Sequence, residues 1–266
     1  MTGLQIIVLA IVQGLTEFLP ISSSGHLVLV PYLVEWTDQG LAFDVAVHFG
    51  SLVAVCVFFR EDLLGLLRGA SQVLAGNLKM PQANMAMAIG LGTIPAAVAG
   101  MLFASWIEAN LRDPAIIVYM LAGYGVLMAL ADRYGRSDRV IATVRIKDAL
   151  IIGCAQALAL VPGTSRSGVT ITAARVLGLK RQDAARFSFL LSAPVILLAT
   201  AFKGFELISG DSAVPWGQLG LGAAVSAVVA YLSIEFFMRF VSRIGLAPFA
   251  VYRLALAAVI AYVLFG

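Results

Sequence analysis

Between Gln13 and His26 the chain gathers a carboxamide, a carboxylate, three consecutive serines and an imidazole within fourteen residues. Gln13 and Glu17, spaced i and i+4, share one face of a helix. Ser22, Ser23, Ser24 and His26 follow at its tip. A second cluster, Pro162-Gly163-Thr164-Ser165-Arg166-Ser167-Gly168, immediately precedes another helix. Free backbone N–H groups at that helix start, three hydroxyls and a guanidinium converge on one point, which suits a tetrahedral oxyanion such as phosphate. The motif is no P-loop, since GxxxxGK[ST] is missing and no strand precedes it. Plainer readings exist for both clusters: Glu17 neutralises Arg166, and the serines cap helix ends. They leave His26 unexplained.

The elements that must position these groups are apolar. Of 266 residues, 61% are hydrophobic and 12% charged, and the mean hydropathy is +0.95. An ordinary soluble domain has roughly 45–50% apolar and about 25% charged residues, so a water-soluble fold is excluded and residues 1–266 read as a single membrane domain. The net charge of +3 is a topology signal, and nucleic acid is not an expected partner. Cys56 and Cys154 lie in apolar runs and read as packing residues. The start, MTGLQIIVLA, lacks the features of a cleaved signal peptide.

A transmembrane helix needs about 20 apolar residues. Six stretches qualify: roughly 43–59, 85–106, 114–131, 187–202, 218–240 and 246–265. Four others, roughly 4–15, 26–34, 149–161 and 169–179, are too short to cross. They form two pairs, each broken by a polar tip, EFLPISSSGH or VPGTSRSG. That pattern predicts two re-entrant hairpins. Gln13 stands twelve residues before Gly25, and Gln156 twelve before Gly168; Phe43 and Phe187 follow at nearly the same offset. The predicted fold is therefore an all-α polytopic membrane protein of two inverted repeats, about 1–135 and about 145–266. Each is a re-entrant helical hairpin plus three transmembrane helices, with the two tips meeting near the midplane. Loops expected on one face, near 60–84, 133–147, 175–186 and 239–245, carry 14 of the 18 basic residues, Lys79 among them, against Arg112 and Lys203 in the loops near 35–42, 107–113 and 203–216 on the other. The positive-inside rule then puts the first face in the cytoplasm and both termini outside.

Charges at membrane depth are functional candidates by default. Besides Glu17 and Arg166 they are Asp44, Glu235 and Arg253. Asp44 and His48, at i and i+4, either line a cavity entrance or pair with each other. Glu235 and Arg239 are expected to form a local ion pair near the cytoplasmic end, and Arg253, behind Tyr252, is expected to snorkel toward that face in a structural role in preference to binding a ligand.

At the two tips the sequence closely resembles the bacterial undecaprenyl-diphosphate phosphatase family associated with bacitracin resistance. The family's acidic motif stands as Gln13-Gly14-Leu15-Thr16-Glu17, in its Gln form; FLPISSSGH and PGTSRSG match its other signatures, and FDVAVHFGS at 43–51 looks like a third. The resemblance implies hydrolysis of undecaprenyl diphosphate to the monophosphate lipid carrier used in cell-wall synthesis. It further implies a divalent cation, Mg²⁺ or Ca²⁺, and residence in the bacterial inner membrane with a site opening to the outer face. On that basis the catalytic set is Glu17, Ser23, His26 and Arg166. Gly163, Thr164, Ser165, Arg166, Ser167 and Gly168, with Ser22 and Ser24, would bind the diphosphate. Glu17, with Gln13 beside it, would bind the metal or act as a base. Ser23 as nucleophile with His26 as proton carrier, attack by His26 itself, and attack by water all remain open. The reading allows a homodimer. The rival class is an inverted-repeat transporter or flippase of a polyprenyl phosphate lipid.

Overall fold

The computed structural model describes residues 1–78, 80–111, 113–208 and 215–265, the side chains of Glu108 and Ile208 aside. Lys79 and Arg112, both counted in the charge split, lie outside the described residues, as does much of the loop expected at 203–216. Eleven α-helices are described: α1 (Gly3–Thr16), α2 (Ser23–Leu33), α3 (Gly40–Phe58), α4 (Arg60–Leu74), α5 (Pro81–Asn110), α6 (Pro114–Tyr134), α7 (Ile146–Ala157), α8 (Arg166–Val176), α9 (Arg181–Ile208), α10 (Trp216–Ile244) and α11 (Ala247–Phe265). Among the described residues there is no strand, and Arg139 and Leu179 pair as an isolated bridge. Six helices, α3, α5, α6, α9, α10 and α11, are long and apolar enough to cross a membrane. They coincide with the six stretches read from the sequence, and of the five shorter helices α1, α2, α7 and α8 fall where half-length segments were expected.

One expectation needs correction. Residues 60–84 read as a polar loop, yet 60–74 form α4. Its leucines 63, 64, 66 and 67 recur at helical spacing among charged residues, and Glu61 and Asp62 sit in the first turn, where the helix dipole favours negative charge. Gly69 then lets α4 lie against α5: a Cβ there would come within 2.1 Å of the Gln82 carbonyl oxygen.

The hairpins exchange partners. α1 packs on α10, whereas α7 packs on α5, so each hairpin lies against a long helix from the other half of the chain. Beneath the tips runs an aromatic column in which Phe189 touches Phe18 at 5.2 Å, Phe59 at 6.1 Å and Phe237 at 5.7 Å, and Phe237 continues to Phe249 at 5.3 Å. These rings are buried and fix the residue that follows Glu17.

Many basic residues at the ends of the helices are bound. Arg181 grips Asp132 through Nε at 2.7 Å and Nη2 at 3.0 Å, and Asp132 also accepts the Leu246 N–H at 3.0 Å. Arg175 is buried and donates to the backbone oxygens of Leu179, Arg136 and Gly135. The Glu235–Arg239 ion pair does not form: both side chains are exposed, and the Arg239 guanidinium lies over the Phe240 ring at 5.9 Å. At the surface, stacking on the neighbouring ring competes with an ion pair that water leaves worth little.

Candidate active site at the meeting of two hairpin tips

The tips are built alike. Ser22 and Ser165 each hold a positive φ, 78° and 74°, a conformation that costs a non-glycine residue about 1–3 kcal/mol. Each is retained by the same cap: Ser22 Oγ accepts the Gly25 N–H at 3.3 Å, and Ser165 Oγ accepts the Gly168 N–H at 3.1 Å. The turn throws the next residue, Ser23 in one tip and Arg166 in the other, onto the first position of a helix. Gly163, at φ 91°, has no room for a side chain, since a Cβ would lie 2.8 Å from the Ile117 carbonyl oxygen.

Glu17 ends α1 and is the hub. Its Oε1 accepts Arg166 Nη2 at 2.8 Å; its Oε2 accepts Ser23 Oγ at 2.6 Å and Gln13 Nε2 at 3.0 Å. The pairing of Arg166 with Glu17 in the plainer reading is therefore present, and the same contact joins the tips. Arg166 also lies 5.5 Å over the Phe18 ring. A carboxylate can only accept, so the Gln13 amide nitrogen faces Glu17 and its Oε1 points away. That oxygen is buried without a partner. Gly14 makes this placement possible: a Cβ there would lie 2.7 Å from Val229 Cβ and 2.8 Å from the Ser226 carbonyl oxygen on α10. Ser167 Oγ crosses to the Leu19 carbonyl at 2.9 Å and lies 3.3 Å from Ser165 Oγ. Ser24 Oγ lies 3.5 Å from Ser22 Oγ. Thr164 is buried with its hydroxyl unpartnered.

His26 is committed elsewhere. Its Nδ1–H donates to the Ser22 carbonyl at 2.7 Å, which leaves Nε2 to accept the Tyr252 hydroxyl at 2.7 Å, and the two rings stack at 5.7 Å. It thus braces the strained serine, with no hydrogen bond to Ser23 or Glu17. His48 is nearer the hub: Nδ1–H donates to the Asp44 carbonyl at 2.7 Å, and Nε2 lies 3.7 Å from Glu17 Oε2. Of the two readings for Asp44 and His48 the cavity reading fits, since both line a hollow of about 340 Å³ with Glu17, Arg166 and Gln156. Gln156 had served only as a marker of the repeat. Asp44 itself accepts Gln39 Nε2 at 2.8 Å.

Arg253 is structural, but it does not snorkel as expected, because the carbonyls of the two tips and α6 take its donors inside the protein. It is 1% exposed and donates to the carbonyls of Leu121 (3.2 Å), Met120 (3.1 Å), Gly163 (2.9 Å), Thr164 (3.1 Å) and Pro20 (3.4 Å). One guanidinium from α11 thereby clamps both tips to α6.

This architecture has relatives. The family model described as Bacitracin resistance protein BacA matches residues 6–259. The chain belongs to the BacA family. Similar members include Undecaprenyl-diphosphatase 2 of Stutzerimonas stutzeri, 52% identical over 260 residues, which covers 97% of this chain and 96% of the relative. Undecaprenyl-diphosphatase of Hahella chejuensis is 52% identical over 258 residues, 97% of each chain, and that of Nitrosococcus oceani 51% identical over 262 residues, 98% and 99%. With six apolar helices and this membership, the BacA chain is a multi-pass membrane protein.

Proposed function

We propose that the protein hydrolyses undecaprenyl diphosphate to undecaprenyl phosphate and inorganic phosphate. The observation that carries this reading is the meeting of Ser23, Glu17 and Arg166 across the two tips, in a member of a family whose curated relatives are named for this activity. Ser23 Oγ passes its proton to Glu17 Oε2 and attacks the terminal phosphorus. The bond to the bridging oxygen breaks, and the lipid phosphate leaves. Water then attacks the phosphoserine, Glu17 returns the proton to Ser23 Oγ, and phosphate departs. Arg166 and the open N–H groups at the starts of α2 and α8 stabilise the charge on the transferred group. His26 acts through Ser22, holding the tip that presents Ser23.

A divalent cation fits this donor set in one way. Among the described residues no three His, Cys, Asp or Glu side chains could hold a metal together. Glu17 and, once its amide has rotated to bring Oε1 round in place of Nε2, Gln13 would be the hard oxygen donors, and Mg²⁺ commonly takes the rest of its shell from phosphate and water. When bound, the ion would neutralise phosphate charge.

The isoprenyl chain has an adjoining seat. An apolar groove of about 490 Å³, lined by residues including Phe49, Leu197, Trp216 and Leu219, shares Val45 and Thr200 with the polar hollow. The inverted-repeat topology, with the basic loops in the cytoplasm and the site opening to the outer face of the inner membrane, is the arrangement that the charge split favours. A flippase would have no use for a serine hydrogen-bonded to a carboxylate beside an arginine. The test is phosphate release from undecaprenyl diphosphate by purified protein in detergent, with and without chelator. Release that chelator suppresses is expected; no release from well-folded protein overturns the proposal.

A further inference from the structure

Gln156 lies in the last turn of α7, one turn beyond a tight crossing in which a Cβ on Gly153 would come within 2.2 Å of the Gly92 carbonyl oxygen on α5. The backbone of α7 is therefore held against α5, and Gln156 lines the polar hollow with Glu17 and Arg166. It is 2% exposed. Neither its amide nitrogen nor its carbonyl oxygen has a partner. A buried carboxamide with all its hydrogen-bonding capacity unused is costly, and natural proteins keep such groups where something else satisfies them.

The internal repeat indicates what that is. Gln13, the counterpart of Gln156 at the same distance from its tip glycine, donates Nε2 to a carboxylate four residues on, at Glu17. Four residues after Gln156 stands Leu160, which lines the same hollow and offers no anion. The first glutamine receives its anion from the chain; the second needs one from outside.

We propose that Gln156 is a substrate-binding residue whose amide donates to the lipid-linked phosphate of the diphosphate. This rests on the phosphatase reading. Ser23, Glu17 and Arg166 address the terminal phosphate, and Gln156, out of hydrogen-bonding range of all three, addresses the other one. Its donor then meets the oxygens that gain charge as the lipid phosphate leaves, so the interaction strengthens in the transition state.

The test compares Gln156→Met, close in shape and without the amide, with the unaltered protein. Turnover of undecaprenyl diphosphate should fall by about 10²-fold in kcat/KM, while thermal unfolding occurs no lower than before, because no hydrogen bond within the protein is lost. Inhibition by inorganic pyrophosphate should weaken by about tenfold and inhibition by inorganic phosphate should not change, because a single phosphate occupies the terminal position alone. Normal turnover and unchanged pyrophosphate inhibition in Gln156→Met would overturn the assignment and leave a merely hydrated amide. A lowered unfolding temperature with equal weakening of both inhibitors would overturn it in favour of a structural role. If the unaltered protein released no phosphate, the phosphatase reading would fall, and the contrast between the two inhibitors, read as thermal shift, would still decide Gln156.

Discussion

The first tip sets Ser22 at φ 78° and the second sets Ser165 at φ 74°, each with its hydroxyl on the glycine N–H three residues ahead. On that common backbone the side chains diverge. After the strained serine comes a hydroxyl in one tip, Ser23, and a guanidinium in the other, Arg166. Four residues after the glutamine comes Glu17 in one and Leu160 in the other. In the proposed mechanism the attacking group and its base thus belong to the first tip and the permanent cation to the second, and neither tip holds a complete site. Two tips of like backbone that face each other can each carry a different part of one site, because what one lacks the other supplies across 2.8 Å.

The largest break in this division is removal of the cation. Arg166→Ala should lower kcat/KM by about 10³-fold or more, the scale of an arginine on a transferring phosphoryl group. Arg166→Lys should recover only part of that, because lysine lacks the planar fork that spans Glu17 and a phosphate together. Near-normal turnover of the lysine variant would reduce the second tip's share to a point charge.

Next come the acid and hydroxyl of the first tip. Ser23→Ala should cost about 10²–10³-fold, and Glu17→Gln about 10²-fold, with the second loss partly offset by added Mg²⁺ or Ca²⁺ if Glu17 also serves the ion. Steady-state rates across a metal titration separate the two, and a metal-insensitive Glu17→Gln variant would confine Glu17 to the proton.

His26→Ala should lower turnover by a smaller factor, about 10–100-fold, because the ring supports Ser22 and Tyr252 without a hydrogen bond to Ser23. Tyr252→Phe, which removes only the hydroxyl on Nε2, should give a milder loss in the same direction. A His26 variant as inactive as Arg166→Ala would instead place the imidazole among the reacting groups.

The smallest effect lies at the bases of the hairpins. α1 begins on a neutral cap between Thr2 and Gln5, whereas α7 begins on Asp148, which accepts the Arg145 N–H at 3.0 Å and Arg139 Nη2. Burial pushes the Asp148 carboxyl up, and the Arg139 hydrogen bond and Arg145 N–H more than reverse this, so it titrates below the usual carboxylate range. A depressed carboxyl contributes stability above its unfolded pKa, and that contribution is lost as pH falls through the folded value. Asp148→Asn should therefore lower stability by ~1–2 kcal/mol at neutral pH, and the gap from the unaltered protein should shrink below about pH 4. Unfolding in detergent at the two pH values checks this; a gap independent of pH would mean that the charge of Asp148 contributes nothing.

Much of this was legible in the sequence because it depends on length and type. Six apolar runs of spanning length became six helices, and half-length runs flanking Ser- and Gly-rich tips became hairpins whose polar residues meet. The features that were not legible depend on distant partners. Tyr252 reaches His26 across 226 positions, and no local pattern announces it. His48 and Asp44 shared a face on paper, yet only packing of α3 beside α1 decides that His48 turns toward Glu17. α4 was hidden because its leucines are diluted by charges, so composition read as a loop where the 3.6-residue period held a helix. Gln156 stood in plain sight as a repeat marker; that its amide goes unpartnered is a property of everything around it.

Arg253 has one more consequence. Its five carbonyl partners lie on both tips and on α6, all synthesised before α11, the last of the described helices. Both tips and α6 are therefore made before the guanidinium that ties them together, so the clamp on the two tips is the last part of their support to be synthesised.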